Sequence, residues 1–79
     1  MGKKKEKKAR TQQENDRYCK AAGISSNQRA MLVTAWNWCD EEDKSTEFMF
    51  AYMSDMGNVG YDEVVDFVLN YTRTKADFE

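Results

Sequence analysis

The ten residues Ala30-Met-Leu-Val-Thr-Ala-Trp-Asn-Trp-Cys39 hold both tryptophans of the chain and one of its two cysteines. Wound as a helix at about 100° per residue, they place Met31, Leu32, Ala35 and Cys39 on one face. Trp36 and Trp38 fall at the two edges of that face, and Arg29, Thr34, Asn37 and Asp40 fall opposite. Each indole buries on the order of 150–250 Å², so a short chain cannot leave this face in water. The flanking segments must close over it. The pattern predicts that Leu32, Ala35, Trp36 and Cys39 are buried, with Trp36 against the third and fourth helices and Trp38 partly exposed.

The flanking sequence supplies helices to do this. Residues 1–10 are rich in lysine and have no large apolar side chain after Met1, so they read as a disordered basic arm. Residues 11–73 read as the helical domain. A weakly amphipathic helix over 11–22 has Tyr18 as its large anchor, with Thr11, Ala21 and Ala22 nearby, and Gly23 is suited to end it. Ser25-x-x-Gln28 matches a capping box ahead of the central helix, which is expected to stop near Asp40. Asp43, Ser45 or Thr46 can cap a third helix with Phe48, Met49, Tyr52, Met53 and Met56 on its apolar face. Phe50 lies to one side, and Gly57 is expected to end this helix as Gly23 ends the first. A fourth helix from Tyr61 to about Tyr71 carries Val64, Phe67, Val68 and Tyr71, widened by Tyr61, Val65 and Leu69. Residues 74–79 are expected to fray. No proline interrupts these periods and no useful run alternates with a period of two, so the fold class is all-α. It is a small bundle of three strong helices plus a weaker N-terminal one. A domain of about 60 residues buries only about 60% of its unfolded surface, which makes homodimerisation over an exposed aromatic face an expectation as well.

Composition narrows the chemistry. With no histidine, the usual acid–base residue near neutral pH is missing, and no phosphate loop, nucleophile elbow or dinucleotide fingerprint is present. The expectation is a non-enzyme with no cofactor and no catalytic residues. Cys19 and Cys39 cannot complete a four-ligand zinc site, and Asp40–Glu47 lacks the glycine and spacing of a calcium loop, so no metal is expected. The two thiols read as small core residues, the alternative being a clip between neighbouring helices. No run approaches the ~18 apolar residues of a membrane span. No apolar stretch follows the charged N-terminus, and Glu6 stands where a myristoylation signal has serine or threonine. The expected location is cytoplasmic.

Charge is segregated along the chain. Residues 1–29 carry nine lysines or arginines against three acids, and residues 30–79 carry three against eleven. An acidic pole at Asp40, Glu41, Glu42 and Asp43, with Trp38 and Phe50 as aromatic neighbours, suits a protein partner, such as a basic or nucleic-acid-binding protein. The leading expectation is a small adaptor or inhibitor acting through that surface. The alternative is a DNA-binding regulator. Tyr18 to Leu32 resembles part of a helix-turn-helix, with Gly23 and Ile24 at the turn and Ser26, Asn27, Gln28 and Arg29 opening the recognition helix. Arg29 departs from the motif, standing where it normally has an apolar core residue. Lys3, Lys4, Lys5, Lys7, Lys8 and Arg10 would then hold phosphates without reading sequence.

Overall fold

The computed structural model describes residues 2–78, with side chains described from Thr11 onward. Four α-helices follow in order: α1 (Gly2–Ala22), α2 (Ser26–Glu41), α3 (Thr46–Gly57) and α4 (Tyr61–Asn70). A short 3-10 turn, Lys75–Phe78, closes the chain. Among the described residues there is no strand. The side chains of the basic arm, Lys3 to Arg10, lie outside those described.

The helix boundaries follow from local chemistry. Ser25 and Gln28 form the expected capping box, each side chain bonded to the other's backbone N–H at 3.1 and 3.0 Å. Ser45, among the candidates for the third helix, caps α3 by accepting from the Phe48 N–H at 3.1 Å. Three helices end with a left-handed residue. After α1 it is Gly23, where Ile24 N–H reaches the Cys19 carbonyl and Gly23 N–H reaches that of Lys20. After α2 the same pair of bonds forms around Asp43, at φ 56°. After α3 the left-handed residue is Asn58, at φ 55°, not Gly57 as its composition suggested. Gly57 serves packing instead. A Cβ there would lie 2.7 Å from Leu32 Cδ2, so the glycine lets α3 approach α2.

The core forms where α2 meets α3 and α3 meets α4. Leu32, Ala35, Trp36 and Cys39 of α2 are all buried as expected, joined by Met49, Met53, Val64, Phe67 and Tyr71. Burying each of the larger side chains contributes about 1.5–3 kcal/mol. Trp36 packs edge-on against Phe67 of α4, centroids 6.0 Å apart. Met31 departs from expectation and stays exposed, whereas Val33, absent from the predicted stripe, is buried. Leu69 was expected to widen the α4 stripe and is instead 78% exposed. The two α2 differences have one cause: the apolar face of α2 is rotated toward Val33, because a second layer covers that side.

That layer is α1 together with the C-terminal segment. The residues expected to fray are held by specific bonds. Asn15 of α1 is fully buried and pairs its carboxamide with both backbone groups of Thr72, at 2.8 and 3.0 Å. The companions of Tyr18 on the inner face of α1 are therefore Asn15 and Cys19; Ala21 and Ala22 are exposed. Asp77 accepts from the Thr74 N–H at 2.8 Å and from the Tyr71 hydroxyl at 3.1 Å. Arg29 and Asn37, expected to face water, are half-buried beneath this segment.

Candidate functional site

Two aromatic sites flank α2, and each has a cation over an indole. On the inner side, Trp36 is 9% exposed and the Arg73 guanidinium lies 4.1 Å from its ring centroid. Arg73 is fixed there by Asn37 Oδ1 at 2.7 Å and Asp40 Oδ2 at 2.7 Å, and it also lies 4.9 Å from the Phe78 ring. On the outer side, Trp38 is 38% exposed and Phe48 43% exposed. Together with half-buried Tyr52 they form one continuous set of rings. Trp38 and Tyr52 centroids lie 5.0 Å apart, Phe48 and Tyr52 5.9 Å, and Trp38 and Phe48 6.4 Å. The Lys44 ammonium sits 5.4 Å from the Trp38 centroid and 5.2 Å from that of Phe48.

Helical spacing assembles the outer site. Phe48 and Tyr52 stand four residues apart on α3, so they share a face, and the left-handed turn at Asp43 returns the chain beside Trp38. The same turn fixes the Lys44 backbone through its N–H bond to the Cys39 carbonyl at 2.9 Å. Glu41 follows Trp38 by one helical turn, and Glu42 is the C-cap of α2. Neither forms an ion pair among the described residues.

The expected acidic and aromatic residues thus divide. Trp38, Glu41, Glu42 and Asp43 lie together and exposed at the end of α2. Asp40 is tied to Arg73. Phe50 turns away, half-buried, and meets Tyr61 of α4 edge-on at 5.8 Å. Phe48, Tyr52 and Lys44 were not singled out as site residues. The spacing of Phe48 and Tyr52 was readable, but their closeness to Trp38 depends on how α3 packs.

The residues of the partial helix-turn-helix are placed differently. Ser26 and Asn27 are exposed at the start of α2. Gln28 is spent on the cap, and its Nε2 also donates to the Gly57 carbonyl at 3.2 Å. Arg29 donates to Asp16 at 2.6 Å and to the Tyr71 hydroxyl at 3.1 Å. Burial opposes the charge on Arg29, but these two partners outweigh it and raise its pKa above the ordinary value. Two of the four expected base-reading side chains are therefore committed within the molecule.

Cys19 and Cys39 are both free and buried, and burial raises both thiol pKa values, which disfavours the reactive thiolate. Tyr18 is likewise pushed up, by burial and by its 2.9 Å bond to Asp66. Among the described residues, no helix is long and apolar enough to cross a membrane. No family model matches the chain, and neither the curated proteins nor the solved structures contain a match to it.

Proposed function

We propose that this chain is a small non-catalytic binding protein, an adaptor or inhibitor that engages a protein partner through the outer face of α2 and α3. The observation that carries this reading is the ring set of Trp38, Phe48 and Tyr52, left partly in water beside Glu41 and Glu42, two carboxylates with no ion pair among the described residues. Large aromatics with a polar rim are what protein interfaces enrich at their centres. The core is closed by residues such as Trp36, Leu32 and Phe67 without Trp38 or Phe48, which leaves these two rings available at the surface. The alternative, a DNA-binding regulator, would have to rely on the basic arm with Ser26 and Asn27, because Gln28 and Arg29 are engaged elsewhere.

The test is affinity capture from cell lysate by wild type and by Trp38→Ala, at low and high salt. Wild type is expected to retain a protein that Trp38→Ala loses, and high salt should weaken that capture. Capture that is unchanged by Trp38→Ala would remove the reading. So would retention of nucleic acid alone in a parallel mobility-shift assay.

A further inference from the structure

Resting on the protein-binding reading, we propose that the outer ring set is a seat for a lysine side chain of a lysine-rich partner segment, and that Lys44 occupies this seat until the partner arrives. The position of Lys44 is the first reason. Its ammonium lies over two rings at once, 5.4 Å from Trp38 and 5.2 Å from Phe48, so the site already accepts this group. Lys44 has no carboxylate within ion-pair distance among the described residues. The rings hold its ammonium and the backbone bond to Cys39 holds only its main chain. An exposed ammonium over a ring is worth about a two- to fivefold factor in an equilibrium constant, a small barrier to displacement.

Charge complementarity is the second reason. Glu41 and Glu42 stand one turn beyond Trp38 with no cationic partner among the described residues. Lys44 does not satisfy them. A segment bearing several lysines would place one ammonium on the rings and others beside these carboxylates, and so would outcompete the single internal lysine. Ring geometry separates lysine from arginine. Trp38 is tilted by 37° from Tyr52 and by 40° from Phe48, which gives angled walls suited to a compact ammonium. A guanidinium gains most where fixed acceptors meet its planar fork, which this protein provides over Trp36 through Asn37 and Asp40.

The experiment is a fluorescence-anisotropy titration at physiological salt with a labelled peptide of alternating lysine and serine, and with its arginine analogue. Wild type, Lys44→Ala, Trp38→Leu and the double variant Glu41→Gln/Glu42→Gln are compared, each checked for native helicity by circular dichroism. The lysine peptide is expected to bind wild type and to bind Lys44→Ala about two- to fivefold more tightly, because the seat is vacated. Binding should weaken in Trp38→Leu and in the double glutamine variant, and the arginine peptide should bind wild type less well. Lys44→Ala changes only an exposed side chain, so its result does not depend on whether Trp38→Leu folds. Equal or weaker binding to Lys44→Ala would overturn the proposal, as would equal affinity for the arginine peptide. If no variant binds the lysine peptide while Trp38-dependent capture from lysate persists, the lysine seat is wrong and the protein-binding reading stands.

Discussion

Trp36 and Trp38 are two residues apart on one helix, and their surroundings are opposite. Trp36 lies between Phe67 and an arginine tied to two acceptors, beneath the C-terminal segment. Trp38 lies on the outer face among Phe48, Tyr52 and a lysine with no ion-pair partner among the described residues. Both indoles carry a cation, but only one cation is fixed. A cation over an aromatic ring is part of the fold when other bonds determine its position, and is exchangeable when the rings alone hold it.

The largest effect expected breaks the comparison outright. Trp36→Ala removes a nearly buried indole and should cost about 3–5 kcal/mol. A core of this size rarely supplies more than about 3–5 kcal/mol, so the variant should lose its helical circular-dichroism signal at room temperature. Trp38→Ala gives up two partly exposed ring contacts, about 1–2 kcal/mol, and should keep that signal with a lower Tm. If the Trp38 variant unfolds and the Trp36 variant does not, the roles of the two edges are reversed.

The two cations sharpen the contrast at the next scale. Arg73→Ala leaves Asn37 and Asp40 without their donor and should cost about 1.5–3 kcal/mol by urea denaturation. Lys44→Ala should stay within about 0.5 kcal/mol of wild type. A similar loss in both would mean that Lys44 is as structural as Arg73.

Asn15→Ala tests what holds the inner side closed. It leaves the Thr72 N–H and carbonyl without their partners and should cost about 1–3 kcal/mol. Amide hydrogen exchange should then speed up across residues 71–78 while the amides of α3 remain protected. Loss of protection throughout would show that the C-terminal segment and the core unfold as one unit.

The smallest effect concerns the turn that carries Lys44. Asp43 holds a left-handed φ of 56°. Asp43→Gly relieves that conformation and should stabilise the fold by about 0.5 kcal/mol, read as a small rise in the urea midpoint. A decrease would indicate that the Asp43 carboxylate itself contributes to the fold.

Helix number, most boundaries and the distinction between the two tryptophans were legible in the chain, because each depends on residues within a turn or two of one another. Ser25 and Gln28 are three apart, Gly23 closes its own helix, and the angular offset between positions 36 and 38 separates one edge of α2 from the other. The outer site was legible only in pieces: Trp38, Glu41 and Glu42 are neighbours in sequence, but Phe48, Tyr52 and Lys44 join them only through the packing of α3. Phe50 and Asp40 were drawn to Tyr61 and Arg73 for the same reason. What lies over the polar side of α2 was not legible at all. Asn15 meets Thr72 across 57 positions, and Arg73 meets Asn37 across 36. A local period states which side chains share a helix face, but not which distant element covers that face. Isolated polar residues such as Asn15, Arg29 and Asn37 read as solvent-facing until tertiary contacts supply the buried groups that satisfy them.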